Sequence, residues 1–137
     1  MFLLESAGAP IGCNSNNISI KSAYGKYVVA EQDGSANANR DAQYRWEMWS
    51  VEQKGNDTFA LGSYHGKYLV AENINGEVNA GGSSASIWET YAVEQLGNDI
   101  AFKTHHNTYL SADSAGNLNA RSELGHDERF SIQCLGG

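Results

Sequence analysis

The chain has 137 residues and a mass of 14.8 kDa, and its 41% hydrophobic and 10% aromatic content is typical of one folded domain rather than a disordered segment. Nine Lys and Arg residues against sixteen Asp and Glu residues give a net charge of −7. That balance argues against nucleic-acid or anionic-membrane partners, since both require a positive face. No apolar run is long enough to span a bilayer, so a membrane span is not expected.

The first residues favour a cytoplasmic protein without a lipid anchor. The segment MFLLE (1–5) has no basic region, and its apolar stretch is too short for a signal peptide. Phe2 excludes N-myristoylation, which requires Gly at that position. We therefore expect a cytoplasmic location, or an extracellular one if the protein is a lectin that is exported without a leader.

An internal repeat is the strongest signal in the sequence. The segment SAYGKYVVAE (22–31) returns as SYHGKYLVAE (63–72) and as THHNTYLSAD (104–113), with an offset of 41 residues each time. Because self-similarity at a fixed interval indicates repeated structural units, the repeat has to be interpreted before any single motif.

Each copy predicts four short strands in the same order. The first copy has an opening strand (18–20), a strand that begins at Tyr27, a glycine turn with a short strand (34–38) and a closing strand (49–52). The second and third copies show the same four segments, at 59–61, Tyr68, 76–80 and 91–94, and at 100–102, Tyr109, 116–120 and 130–133.

Three four-stranded units that close on themselves remove the exposed sheet edges that a linear stack would leave. We therefore predict an all-β fold, the β-trefoil, in which three pseudo-symmetric repeats form a closed barrel with a hairpin cap. The predicted domain covers residues 16–136, with repeats at about 16–57, 58–99 and 100–136, after an N-terminal extension (1–15).

The repeated segments resemble those of a known family. GKYLVAE (66–72), then a glycine turn, VNA (78–80) and WETYAVE (88–94) are similar to the fascin-like proteins, which include the histidine-rich actin-binding hisactophilins. The resemblance implies a β-trefoil fold and association with actin filaments. Hisactophilins carry many His residues and a lipid, whereas this chain has four His, so their pH-switched membrane attachment is not expected here.

Several repeated positions are interpreted as structural. We expect Tyr27, Tyr68 and Tyr109 to enter the core, since a buried tyrosine is stable when its hydroxyl has a partner. The same core is expected to contain Trp49, Tyr91 and Phe130. Trp46 and Trp88 are interpreted as half-buried lids, with stacking on a sugar as the alternative, at a position where the third copy has Asp127. Turn or cross-strand roles are expected for Asn37, Asn79 and Asn119, and a positive φ for Gly34, Gly76 and Gly116.

The hairpin before each repeated tyrosine is the candidate binding site. These loops should be exposed, and they hold two Lys and three of the four His residues. A solvated turn is one interpretation, and a polar binding rim repeated around a pseudo-threefold axis is the other. The candidate ligand-binding residues are Tyr24, Lys26, His65, Lys67, His106 and Asn107.

No catalytic residue, metal site or cofactor is predicted. The sequence contains no Gly-x-Ser-x-Gly, Walker or His-Glu-x-x-His motif, and the segment GHDER (125–129) is interpreted as a charged loop. Cys13 and Cys134 are candidates for a disulfide because the first and last strands of a closed barrel are neighbours, although a reducing cytosol would keep both thiols free.

Two functions follow from these observations. The first is a non-catalytic module that binds an actin filament or another cytoskeletal protein. A chain with one trefoil would need two surfaces or a homodimer to cross-link filaments, and a basic patch at Lys26 and Lys67 to approach an acidic partner. The alternative is a glycan-binding lectin with one weak site per repeat. The lectin motif Gln-x-Trp is absent, since QYRW (43–46) has the wrong spacing.

Overall fold

A computed structural model describes residues 16–55, 57–72 and 76–135. The predicted N-terminal extension (1–15) lies outside the described residues, and so does Cys13, so its pairing with Cys134 stays a prediction. The domain and repeat boundaries also stay predictions.

Within the described residues, twelve strands fall into three sets of four. The strands are β1 (Asn17–Ser22), β2 (Tyr27–Ala30), β3 (Ala36–Arg40), β4 (Trp49–Gly55), β5 (Thr58–Gly62), β6 (Tyr68–Ala71), β7 (Val78–Gly82), β8 (Thr90–Leu96), β9 (Asp99–Thr104), β10 (Tyr109–Ala112), β11 (Leu118–Arg121) and β12 (Phe130–Cys134). A short 3₁₀ helix precedes the last strand of each set, at Arg45–Glu47, Ile87–Glu89 and His126–Glu128.

Six of these strands form a closed barrel. The antiparallel pairs β1–β4, β4–β5, β5–β8, β8–β9, β9–β12 and β12–β1 make one uninterrupted ring. The other six strands form the hairpins β2–β3, β6–β7 and β10–β11. This arrangement is the predicted β-trefoil, and the closed ring leaves no exposed barrel edge.

The hairpins meet in a cap that is held by backbone hydrogen bonds between repeats. The amide of Ala38 donates to the carbonyl of Gly116 (2.9 Å), and the equivalent amides of Ala80 and Ala120 donate to Gly34 and Gly76 (2.8 Å each). All three glycines have positive φ, as predicted. At Gly76 a side chain would also collide with backbone, because a Cβ would lie 2.4 Å from the carbonyl oxygen of Ala120.

The barrel interior contains one apolar cluster with a repeated aromatic layer. Trp49, Tyr91 and Phe130 are almost fully buried, as predicted. The indole Nε1 of Trp49 and the hydroxyl of Tyr91 each donate 3.0 Å bonds to a backbone carbonyl of the same repeat. These bonds satisfy the polar atoms that burial would otherwise leave without water.

The prediction that Tyr27, Tyr68 and Tyr109 enter the core was wrong. All three are half-buried, and the core positions belong to the residues that follow them, Val28, Leu69 and Leu110. Successive side chains of a strand point to opposite faces, so a tyrosine and its neighbour cannot both face inward. The outward tyrosines find surface partners instead: Tyr68 donates to Glu52 (2.7 Å), Tyr109 donates to Glu94 (3.0 Å), and Lys21 lies over the ring of Tyr27.

The repeated asparagines have structural contacts in two of the three copies. The amide nitrogens of Asn37 and Asn79 donate to the carboxylates of Glu31 and Glu72, which directly follow the adjacent strand (3.2 and 3.0 Å). In the third copy the acid is Asp113, which is one methylene shorter and binds Asn117 instead. Separately, the buried side-chain oxygen of Asn119 accepts no hydrogen bond from the described residues, whereas the equivalent oxygen of Asn79 accepts the amide of Gly81 at 3.0 Å.

Candidate functional site

The barrel brings each predicted rim against the preceding repeat. The β5–β6 loop contacts the first 3₁₀ helix, the β9–β10 loop contacts the second, and the β1–β2 loop contacts the third. We call these contacts the first, second and third junctions. They contain Arg45, Trp46, Tyr64 and His65; Ile87, Trp88, His105 and His106; and Tyr24, His126 and Asp127, respectively.

A repeated hydrogen bond shapes each hairpin loop. The hydroxyl oxygens of Ser22, Ser63 and Thr104 accept the amide two residues later at 3.1–3.2 Å, which closes a tight turn. The next residue then has positive φ, at Gly25, Gly66 and Asn107. Asparagine tolerates this conformation better than most side chains, which explains why the third copy can dispense with glycine.

The opposite side of each junction is held by a buried or half-buried glutamate. Glu47, Glu89 and Glu128 each accept the backbone amide of the residue three positions earlier, at 2.7, 3.0 and 2.6 Å. Glu128 also accepts the hydroxyl of Ser111 (2.6 Å), and Glu47 lies 3.7 Å from the guanidinium of Arg40. These contacts fix the 3₁₀ turn and therefore the direction of the residue between its ends.

At the first junction, that residue is Trp46. Its half-buried indole meets the ring of His65 edge to face, with centroids 4.8 Å apart and planes at 70°. The Nε2 of His65 donates to the carbonyl oxygen of Ala30 at 3.0 Å, since a carbonyl can only accept. His65 therefore joins the second repeat to the first and orients Trp46.

The second junction repeats this geometry. Trp88 is also half-buried, and its ring lies 5.1 Å from that of His106 at 70°. The Nε2 of His106 donates to the carbonyl oxygen of Ala71 at 2.8 Å. Both tryptophans are thus half-buried, as predicted, and both histidines have a structural contact.

The third junction is polar. Asp127 stands at the tryptophan position, and its carboxylate accepts the hydroxyl of Tyr24 at 2.5 Å. That hydrogen bond favours the protonated phenol, so the pKa of Tyr24 lies above its ordinary value. The ring of His126 packs against Tyr24 with centroids 5.2 Å apart.

The six predicted binding residues do not converge on one site, because the three loops lie a third of a turn apart around the barrel. Tyr24, His65 and His106 make contacts between repeats, as described above. Lys26 forms an ion pair with Asp41. Asn107 is exposed at the turn, and the exposed Lys67 forms no ion pair within the described parts of the chain.

Sequence reasoning missed the most exposed apolar groups. Tyr44 is 74% exposed, Ile87 is 58% exposed and Tyr64 is 53% exposed. A groove of about 550 Å³ is lined by residues 43–48, and a related groove of about 380 Å³ is lined by residues 86–89. The segment QYRW (43–46) could have indicated this surface, because it combines aromatic and basic residues. It lies between two predicted strands, so the alternation of apolar residues in the strands gives no information about it.

Across residues 16–55, 57–72 and 76–135, no group of three His, Cys, Asp or Glu side chains is arranged to hold a metal ion. The same residues include no helix with the length and apolarity that crossing a membrane requires.

Comparison with solved structures identifies the class of fold. The chain is similar to the designed threefold-symmetric protein ThreeFoil, with a TM-score of 0.77 and 16% identity over 88% of this chain and 99% of that one. At this identity the likeness establishes the fold, a β-trefoil, and nothing about ligands.

Comparison with protein families identifies the family. The Fascin domain family matches residues 65–137, and a β-trefoil domain family of unknown function (DUF569) matches residues 11–82. Each match spans just over half of the chain, so the chain belongs to the fascin-like β-trefoil family, as its repeats predicted. A search of curated proteins finds no match.

Proposed function

We propose that this chain is a non-catalytic binding module of the cytoplasm and that its partner is an actin filament or another cytoskeletal protein. The observation that carries the proposal is membership of the fascin-like family, whose Fascin domain match covers most of the second repeat and all of the third. The exposed residues of the first junction add support, because Tyr, Trp and Arg are enriched at protein interfaces and among their hot spots.

The occupied histidines favour binding over catalysis. His65 and His106 each give their Nε2 hydrogen to a backbone carbonyl, so neither ring offers that nitrogen as a base. Similar polar groups also recur in three places, whereas general acid–base or nucleophilic chemistry needs different groups within reach of one substrate.

Charge sets the conditions under which binding is strongest. A chain with a net charge of −7 is repelled by an acidic filament unless a local basic group meets it. Lys26 is already paired with Asp41, so the basic patch predicted from Lys26 and Lys67 reduces to Lys67. Arg45 supplies a second cation at the first junction.

Co-sedimentation of the full chain with filamentous actin tests the proposal. We expect the protein to pellet with filaments at low and at physiological salt, because at low salt the contacts of Arg45 and Lys67 gain more than the net repulsion between two acidic partners does. The chain centrifuged without filaments is the control. A chain that stays in the supernatant with excess filaments at low salt would contradict the proposal.

A carbohydrate ligand is the second candidate, and the two tryptophan-lined grooves favour it. Trp46 and Trp88 present half-buried indoles at equivalent positions of successive repeats, an arrangement suited to weak sites that gain avidity together. A neutral sugar is also indifferent to the net charge. A glycan array and a haemagglutination assay test this function: signals that disappear in the double variant Trp46→Ala, Trp88→Ala would support it, and a blank array would remove it.

A further inference from the structure

We propose that the first junction is the docking surface of this chain and that it fits an acidic segment of a partner protein with an apolar side chain at its centre. This inference rests on the proposed function as a protein-binding module, and it adds the site and the chemistry of the partner. The surface consists of Tyr44, Arg45, Trp46 and Tyr64, together with Lys67, which follows Tyr64 in the same exposed loop.

The apolar side chain expected in the partner is inferred from the groove. Residues 43–48 line about 550 Å³ of open space, and Tyr44 and Trp46 form its aromatic part. Because Tyr44 is 74% exposed and Tyr64 is 53% exposed, covering them would remove apolar surface from water. The groove is shallow and open, so it offers an apolar surface against which one large side chain can pack.

The surface is preorganised. Trp46 is held against His65, and His65 is bonded to the carbonyl of Ala30. The amide of Tyr44 is bonded to the carboxylate of Glu47 at 2.7 Å. Binding would therefore order few groups beyond the exposed side chains, which limits the entropic cost of association.

The acidic residues expected in the partner are inferred from the positive charges of Arg45 and Lys67. The guanidinium of Arg45 lies 6.0 Å from the ring centroid of Tyr64, and Arg45, like Lys67, forms no ion pair within the described residues. The nearest carboxylate on the same 3₁₀ helix, Glu47, is buried and already binds the Tyr44 amide and Arg40. Arg45 beside the exposed ring of Tyr64, with Lys67 three residues further along the same loop, makes this surface an exception on a chain that is acidic overall.

The other two junctions lack this combination. At the second junction, Ile87 replaces Arg45 and Thr108 replaces Lys67, so the groove is apolar without cations. At the third junction, Asp127 replaces the tryptophan and is bonded to Tyr24. The acidic partner is thus expected at the first junction alone, and Ile87 provides a matched control position.

A peptide titration followed by amide NMR tests the chemistry. The probe is an acetylated and amidated hexapeptide of four aspartates around a central Leu-Phe pair. One comparison peptide carries lysines in place of the aspartates, and another carries two serines in place of Leu-Phe. We expect the probe to shift amides in 43–47 and 63–67, and each comparison peptide to bind about tenfold more weakly.

The double variant Arg45→Ala, Tyr64→Ala should bind the probe about tenfold more weakly, while Ile87→Ala binds as the wild type does. Both changes remove exposed side chains, and the amide spectrum of each variant reports whether the barrel is intact. The inference is overturned if the lysine peptide binds as tightly as the probe, if the shifts fall elsewhere, or if the probe does not bind.

Filament pelleting of the same variants separates this inference from the proposed function. If the probe binds at the first junction but wild-type protein does not pellet with actin, the docking surface stands and the filament is the wrong partner. If wild-type protein pellets and Arg45→Ala, Tyr64→Ala pellets equally well, the filament proposal stands and the inference is overturned.

Discussion

The hairpin cap and the three junctions both join successive repeats, but they do so with different groups. In the cap, one backbone hydrogen bond occurs three times, from Ala38, Ala80 and Ala120, at 2.8–2.9 Å. At the junctions, side chains make the contact, and the residue at the tryptophan position changes from Trp46 to Trp88 to Asp127.

This difference shows where such a barrel can vary. A backbone bond does not depend on the side chain, so the cap keeps its symmetry as long as glycine allows the chains to approach. Junction side chains are partly solvated, so replacing them costs little of the core energy while it changes the charge and shape of the surface. The repeats of this chain therefore differ at the junctions, where Trp46, Trp88 and Asp127 stand at equivalent positions.

The largest loss of folding stability is expected when a side chain is added at a cap glycine that has no room for it, compared with an equivalent glycine that has room. Gly116 and Gly34 have similar φ values of +89° and +94°. A Cβ at Gly116 would lie 2.5 Å from the Cβ of Asn39, whereas one at Gly34 would meet only the Cα of Gly81, at 3.7 Å. We expect Gly34→Ala to lose about 1 kcal/mol from backbone strain and Gly116→Ala to lose about 1–3 kcal/mol more from overpacking. Chemical denaturation measures both, and equal losses would contradict this account of the cap.

A smaller effect is expected at the junctions. Trp46→Ala and Trp88→Ala each remove a half-buried indole and its contact with a histidine, so each should lower the free energy of unfolding by about 1–2 kcal/mol. Asp127→Ala removes an exposed hydrogen bond from Tyr24 and a 3.4 Å contact with His126, and we expect a change below about 0.5 kcal/mol. Thermal or urea unfolding of the three variants provides the test. A large loss for Asp127→Ala would mean that the third junction is as important for stability as the other two.

The repeated asparagines allow a hydrogen-bonded side chain to be compared with one whose oxygen is unbonded, at equivalent positions of two hairpins. Asn37→Ala removes a hydrogen bond to Glu31 and should cost about 1 kcal/mol. Asn119→Ala removes a buried oxygen that has no partner, so its free energy of unfolding should stay within about 0.5 kcal/mol of the wild type. Urea midpoints of the two variants, measured side by side, decide the matter. If Asn119→Ala proves the more harmful, the oxygen has a partner that this account lacks.

The smallest expected effect is a dependence of folding stability on pH through the ionisation of Asp113. Backbone amides donated by Asn117 and Ala115 favour the ionised carboxylate, so the pKa of Asp113 lies below the ordinary value of 3.8. Because the folded pKa is the lower one, this contribution to stability is complete above the unfolded pKa and is lost as the pH falls through the folded value. Carbon-detected NMR should show Asp113 titrating below pH 3.8, and Asp113→Asn should flatten the acid limb of the stability profile. A titration above that value would contradict the assigned bonds.

The fold could be predicted because it depends on patterns that recur along the chain. Three copies of alternating strands and glycine turns require closure, and the structure confirms the trefoil. The outward position of Tyr27 was also available from strand alternation, since Val28 follows it and takes the core face. The unbonded oxygen of Asn119 could not be predicted, because the equivalent oxygen of Asn79 is satisfied by a backbone amide, that of Gly81, and the sequence pattern does not show where such an amide will lie.

The site was harder to predict for a topological reason. Each rim faces the preceding repeat, so Tyr24 binds Asp127, which is 103 positions away. No local pattern shows that a loop histidine will point at a carbonyl or that Arg45 will lie over Tyr64. The sequence therefore identified the loops, but it predicted that they would be exposed to solvent and did not show that they contact the 3₁₀ helices.

Hydrogen exchange of the full chain, alone and saturated with filamentous actin, tests most directly whether the side-chain junctions rather than the backbone cap meet the partner. The account predicts slower exchange of amides in 43–47 and 63–67 and unchanged exchange in the cap at 36–40 and 116–120. Slower exchange in the cap segments, with none at the first junction, would contradict it.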